Sequence, residues 1–218
     1  MDASTPRSTA PVDDDAPLDP RDALALLDAE HTRTQRQLVP DLRLLYGVWG
    51  AAWLVGFLAL WSSATGRGPL VLPAAVAGTT FALLLGAAVV VTGVHSARRL
   101  AGVRGTSSTQ GAMYGWAWLL GFGCVASLIA AAAGAGASAE VMGVLGPALS
   151  GLVVGLLYLA GGAMWQDRAQ YSLGVWILVA SAVGAVAGYP TDLLVMSLLG
   201  GGGFLVAAVV VALRGRSA

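Results

Sequence analysis

Charged residues are scarce in this sequence. Asp, Glu, Lys and Arg make up 11% of its 218 residues, whereas a soluble domain usually carries about 25%. Lysine and asparagine are absent, and Ile129 and Ile177 are the only isoleucines. Because lysine, asparagine and isoleucine have AT-rich codons, their scarcity favours a GC-rich, bacterial genome. The lack of asparagine also excludes N-linked glycosylation sites.

Residues and motifs of catalysis are equally scarce. The single cysteine, Cys124, excludes an internal disulfide and a metal site built on several thiolates. The sequence has no phosphate-binding loop, no His-Glu-x-x-His motif and no Gly-x-Ser-x-Gly motif. His31 and His95 are too far apart in sequence to predict a metal site. We therefore expect a protein that is not an enzyme and has no cofactor, metal or nucleic-acid partner.

Long apolar runs dominate the rest of the chain. Six runs of 21 to 35 residues lack Asp, Glu, Lys and Arg, and the mean hydropathy is +0.74. A helix needs about 20 apolar residues to cross a bilayer, and a charge at its centre costs about 2.5–3.5 kcal/mol. The runs predict an all-α polytopic membrane bundle in contact with lipid. Its six transmembrane helices fall at about 42–62, 70–95, 112–134, 141–165, 171–188 and 191–213.

The amino-terminal residues have a different composition. Residues 1–18 combine proline, serine and threonine with the acidic triplet Asp13-Asp14-Asp15, which predicts a disordered acidic tail. Residues 19–40 predict a short cytoplasmic or interfacial helix, because Asp19 suits a cap and Pro20 suits the first helical position. Pro40 ends this helix. No secretory signal peptide is predicted, since the first apolar run begins only after residue 41.

The arginines predict the orientation of the spans. Nine lie on one side of the six predicted helices and only Arg67 lies on the other. Cytoplasmic loops carry the excess of Lys and Arg, so both termini are predicted to be cytoplasmic and the protein to be a multi-pass protein of the bacterial cytoplasmic membrane. The nine are Arg33, Arg36, Arg43, Arg98, Arg99, Arg104, Arg168, Arg214 and Arg216.

A weak internal repeat links the odd-numbered spans. The pattern Trp-Leu-x-Gly-Phe occurs at residues 53–57 and again at 118–122, and the fifth span also begins with Tyr and Trp residues. One interpretation is three tandem two-helix hairpins. The alternative is an aromatic belt at the headgroup level, which needs no repeat.

Three groups of residues are candidate sites. Gly200, Gly201, Gly202 and Gly203 lie near the predicted middle of the sixth span, where they either break the helix along a pathway or allow close helix contact. Thr79 and Thr80 are candidate pathway-lining or helix-contact residues on the second span. Arg98, Arg99 and Arg104 could hold an anionic lipid headgroup, although membrane topology alone also explains them.

These patterns favour an accessory, regulatory or self-associating membrane subunit. Small residues recur at four-residue spacing, which is typical of helix contacts in lipid, and no ionisable residue falls at a predicted midplane. The expected partner is a second copy of the chain or another membrane protein. The alternative is a small transporter or channel for an uncharged or weakly polar solute, with the glycine run and the two threonines along its path.

Overall fold

We describe the protein from a computed structural model. It describes Asp19, Arg21, Leu24 and residues 41–68, 70–100 and 106–214. The chain divides into two units, Met1–Val39 and Pro40–Ala218. In the first unit the N–H of Arg21 donates to Asp19 Oδ1 over 3.0 Å; the rest of the predicted tail and helix, with His31, lies outside the described residues. The second unit contains all six apolar runs.

The prediction of an all-α membrane bundle is confirmed. Six helices are long and apolar enough to cross a bilayer. The first five are α1 (Leu42–Thr65), α2 (Ala74–Leu100), α3 (Thr106–Gly134), α4 (Ala139–Met164) and α5 (Arg168–Ala187). The sixth span, Thr191–Arg214, consists of α6 (Thr191–Val195), a π-helical segment (Met196–Gly201) and α7 (Gly202–Arg214).

Local sequence accounts for several helix ends. The side chains of Asp41, Ser138 and Asp167 accept hydrogen bonds from first-turn N–H groups of α1, α4 and α5, and these are residue types that cap helices. Helix α1 ends at Gly66, whose φ of 66° is the left-handed conformation that glycine adopts without strain. Helix α2 starts only after Pro73, later than predicted at residue 70.

The helices differ in how much of their surface the rest of the chain covers. Helix α1 packs on the sixth span, which packs on α5, and α5 packs on α4. Helix α2 packs mainly on α1, and α3 packs mainly on α4. In the most apolar stretch of each span, 33% of the residues are buried in α1 but only 11% in α2 and 6% in α3. We call α2 and α3 the outer helices and the others the inner helices.

Aromatic rings connect the inner and outer helices. Phe204 of the sixth span lies at the centre, with its ring centroid 5.4 Å from that of Trp53 on α1 and 5.6 Å from that of Tyr158 on α4. On the α2 side the rings of Phe81 and Phe57 are 4.7 Å apart. On the α3 side the rings of Trp118 and Tyr158 are 6.0 Å apart. Edge and tilted contacts of this kind stabilise a packed core.

Candidate functional site

The π-helical segment is held from both sides by side-chain hydrogen bonds. Within the segment, the hydroxyl of Ser197 donates to Leu54 O of α1 over 2.8 Å. From α5, Nε1–H of Trp176 donates to Leu199 O over 2.8 Å. A π turn disturbs the regular backbone hydrogen bonds of a helix, and in lipid each freed polar group needs a protein partner. Trp176 supplies such a partner to one carbonyl of the π-helical segment, and Ser197 links the segment to α1.

Three of the four glycines predicted as a candidate site lie against neighbouring side chains or backbone. A Cβ atom on Gly201 would meet the backbone N atom of Leu54, and one on Gly203 would meet Nε1 of Trp176. On Gly200 it would lie 2.8 Å from the Trp53 ring. At Gly202, by contrast, no described atom outside the local helix lies within 4 Å of that position. The structure therefore brings the glycine run into close contact with α1 and α5.

The two candidate threonines lie on an outer helix. Thr79 is exposed and Thr80 is half-buried on α2, and α2 makes its main contacts with α1 rather than with the sixth span. The structure does not bring the threonines together with the glycine run. Thr79 instead belongs to an exposed row of small residues, which we call the α2 stripe: Ala75, Thr79, Ala82, Gly86, Gly93 and Ala97.

The α2 stripe has the spacing of a helix-contact surface. It contains three pairs of small residues four positions apart, Ala75 with Thr79, Ala82 with Gly86, and Gly93 with Ala97. The pairs fall on one side of the helix, and small residues at this spacing let two backbones approach closely in a membrane. At Gly86 and Gly93 no atom of the described chain lies within 4 Å of where a Cβ would be. The described part of the chain therefore leaves this surface uncovered.

The candidate arginines lie at the carboxyl end of α2 and beyond it. Arg98 is exposed in the last turn, and Arg99 follows it within the helix. Arg104 lies outside the described residues. An exposed guanidinium at the end of a span has the position that binding an anionic headgroup requires, and the lipid-binding role stays a prediction.

The same end of α2 is attached to the start of α1. The N–H of Asp41 donates to Nε2 of His95 over 3.0 Å. Partial burial by itself would raise the pKa of the Asp41 carboxyl group. Hydrogen bonds from the Arg43 side chain and backbone, together with the Arg43 charge, have the larger effect, so the pKa lies below its usual value. His95 thus has a structural contact, as its isolation in the sequence suggested.

A residue that the sequence analysis did not select has unusual surroundings. Asp192 lies in the first turn of α6, and its exposed fraction is only 1%. Neither of its carboxyl oxygens has a hydrogen-bond partner among the described residues. It lines a narrow cleft between α4, α5 and the sixth span, together with Ser181 and Pro147. An acidic residue inside a membrane protein is expensive to bury and is a candidate for function.

The sequence contains only an indirect signal for Asp192. An acid that follows Tyr189-Pro190-Thr191 has the position of a first-turn residue at the membrane surface, and not that of an ionisable group in the middle of a span. The burial of Asp192 depends on how α4 and α5 pack against the sixth span. That packing is a tertiary property, which the local sequence does not contain.

Comparisons with protein-family models, with curated proteins and with solved structures returned no match for this chain. The arrangement of its residues is therefore the basis for assigning a function.

Proposed function

We propose that the protein is a non-enzymatic, self-associating subunit of the bacterial cytoplasmic membrane, with both termini in the cytoplasm, and that it works through contacts between membrane helices. The observation that carries the proposal is the uncovered α2 stripe. Exposed large apolar residues are what lipid contact alone requires, because lipid tails are as apolar as leucine. A row of exposed small residues is different, since it adds close backbone contact when another helix packs against it.

The proposal is also supported by a difference in contacts between glycines of the inner helices and glycines of the outer helices. On the inner helices, Gly151, Gly155 and Gly174 all lie against side chains or backbone of a neighbouring helix. On the outer helices, Gly86, Gly93 and Gly123 face open space within the described chain. These three inner glycines take part in contacts within the bundle. The three outer ones are uncovered within the described chain and can meet a second chain, and a second copy presents the same stripe in a symmetric contact.

A matched pair of alanine substitutions on α2 tests the proposal. Ala82 belongs to the stripe, and Ala87 is exposed on another side of the same helix. We expect Ala82→Leu to weaken self-association in liposomes by about tenfold or more, which is about 1.4 kcal/mol, because the larger side chain separates the two backbones. Ala87→Leu should leave association unchanged. Energy transfer between labelled copies, measured at decreasing protein-to-lipid ratio, gives both values.

Two results would contradict the proposal. The wild-type protein could stay monomeric at every protein-to-lipid ratio, or the two substitutions could have equal effects. If the protein does not associate with itself, native mass spectrometry of the protein extracted from its own membrane is the next test. It distinguishes a subunit bound to a different membrane protein from a lone monomer. The lone monomer would exclude the accessory role as well.

Transport of an uncharged or weakly polar solute is the second candidate. The observation in its favour is the π-helical segment, because irregular helices within a membrane frequently occur at functional sites. The close contacts of Gly200, Gly201 and Gly203 favour the packing role over a pathway. Swelling of proteoliposomes in small neutral solutes tests this candidate, which predicts faster swelling than in protein-free vesicles.

A further inference from the structure

Three hydrogen-bond donors near Asp192 have acceptors other than its carboxyl group, and neither carboxyl oxygen has a partner among the described residues. The N–H of Asp192 donates to Gly188 O over 2.9 Å, and the N–H of Leu193 donates to Pro190 O over 3.3 Å. In the cleft, the hydroxyl of Ser181 donates to Ile177 O over 2.8 Å. An ionised carboxylate accepts hydrogen bonds and cannot donate them. In this arrangement the carboxylate therefore has no donor to replace the water that it loses on burial.

The cleft also offers no positive charge. Asp192 is its only titratable lining residue among those described, and the others are Val144, Pro147, Ala148, Ser181, Gly184, Ala185 and Met196. The other titratable side chains on the packed elements lie outside this lining. They are Arg43 and Tyr46 on α1, Glu140 and Tyr158 on α4, Arg168 and Tyr171 on α5, Tyr189 before α6, and Arg214 in the last turn of α7. No ion pair compensates the carboxylate within the described part of the chain.

An unpaired charge in such a place is destabilising. An ionised aspartate inside a membrane span is costly, and burial without a hydrogen-bond partner increases the cost further. Binding of a cation removes the charge. The space along the cleft is about 140 Å³, including the part that is open to the surroundings, and no position in it admits a water molecule. The cleft therefore has no room for a metal ion with several oxygen ligands. The smallest cation, a proton, needs no such room.

We propose that Asp192 is a proton-binding site, and that proton binding holds the cleft between α4, α5 and the sixth span closed. Binding converts the carboxylate and one proton from water into a neutral carboxylic acid. Ser181 Oγ keeps its lone pairs for accepting a hydrogen bond, so the cleft suits the acid better than the carboxylate. When the proton leaves, the carboxylate must be hydrated, and the cleft widens to admit water. Met196, which lines the cleft, begins the π-helical segment.

Infrared difference spectroscopy tests the proposal directly. The protein is reconstituted in liposomes in sodium-free buffer, and spectra at neutral and alkaline pH are compared for the wild type, Asp192→Asn and Glu140→Gln. Glu140 is the matched control, because it is a first-turn acid of another span and is exposed. The wild type should show the carbonyl band of a protonated carboxylic acid at neutral pH and lose it at alkaline pH. Asp192→Asn should lack this band and Glu140→Gln should keep it.

Each other outcome overturns the proposal. The proton site is wrong if the wild type has no such band, or if Asp192→Asn keeps it. Loss of the band on adding sodium at constant pH would show that a metal cation competes for the site, and the proton would not be its specific ligand. If Asp192→Asn does not fold, isotope-labelled aspartate in the wild type decides the question, since the band must shift with the label. The test does not involve self-association, so its result is independent of the proposed function.

Discussion

The two copies of the Trp-Leu-x-Gly-Phe pattern have similar contacts but different surroundings. In both copies the glycine receives a side chain from the next helix, Phe81 at Gly56 and Val153 at Gly121. The first copy is buried, with an exposed fraction of 5% for Phe57, whereas Phe122 of the second copy is 38% exposed. The pattern therefore builds a contact within each hairpin. It does not determine where the hairpin lies in the bundle.

The difference comes from the sixth span. The ring of Trp53 in the first copy contacts Phe204 at an angle of 70°, and Leu54 accepts the hydrogen bond of Ser197. In the second copy, Trp118 contacts Tyr158 on its own partner helix α4. The sixth span thus covers α1, whereas most of α3 has no such cover within the described chain. The interpretation of these segments as parts of tandem hairpins agrees with the contacts of their glycines and stays a prediction about ancestry.

The largest expected effect is at the contact between α1 and the sixth span. Gly201→Ala places a methyl group against the backbone of Leu54, and backbone cannot rotate away as a side chain can. We expect the free energy of unfolding to fall by about 3 kcal/mol, the upper part of the range for overpacking. The adjacent Gly202→Ala is the control, because its position is open, and its effect should stay within about 1 kcal/mol. Unfolding in mixed detergent micelles, followed by circular dichroism, measures both; equal effects would refute the assigned contact.

An intermediate effect is expected at the glycines of the two repeated patterns. At Gly56 the added methyl group meets the rigid ring of Phe81, which is itself packed on Phe57. At Gly121 it lies 2.9 Å from a methyl group of Val153, in the less covered hairpin. We expect Gly56→Ala to cost about 1–2 kcal/mol and Gly121→Ala less than about 1 kcal/mol. The same unfolding assay compares the two variants. A larger loss of unfolding free energy for Gly121→Ala would contradict the order of burial described for the two hairpins.

The smallest effect is expected from two serine hydroxyls. Ser197 donates to α1 across a helix interface, and Ser127 donates to Gly123 O within its own helix over 2.9 Å. Hydrogen bonds between membrane helices contribute about 0.6 kcal/mol on average, so Ser197→Ala should lower the free energy of unfolding by about that amount. Ser127→Ala should change it little, because α3 is largely uncovered at this point. Replicate unfolding curves are needed, and indistinguishable variants would mean that the interhelical bond contributes nothing measurable.

The spans could be predicted because their signal is local. Charge exclusion over 21 or more residues is a property of each segment by itself, and all six predicted helices are present in the structure. The fifth span is predicted from residue 171, but the cap at Asp167 starts the helix at Arg168. The start of α2 was predicted at residue 70, before Pro73, because the apolar run continues through a segment that is not helical.

The parts that could not be predicted depend on contacts between distant segments. Nothing in the residues around Trp176 indicates that its indole donates to Leu199 in the next span. The glycine run is a candidate from the sequence alone, but its contacts with Trp53 and Leu54 are visible only in the structure. The same is true of Asp192, whose burial comes from residues on α4 and α5. On α2 the sequence analysis names only Thr79 and Thr80, and the exposed row of small residues that includes Thr79 became apparent from the packing.

Hydrogen bonds hold the first hairpin, α1 and α2, together at both of its ends and between them. At the loop end, the hydroxyl of Ser62 donates to Leu70 O over 2.6 Å; further along, Nε1–H of Trp49 donates to Thr92 Oγ1 over 3.0 Å. At the opposite end, where no loop joins the two helices, His95 accepts from the Asp41 backbone. A force that pulls on the chain at residue 41 therefore acts on both α1 and α2 from the start. Pulling the chain out of the membrane at this point must displace both helices, because neither helix can slide without breaking its hydrogen bonds to the other.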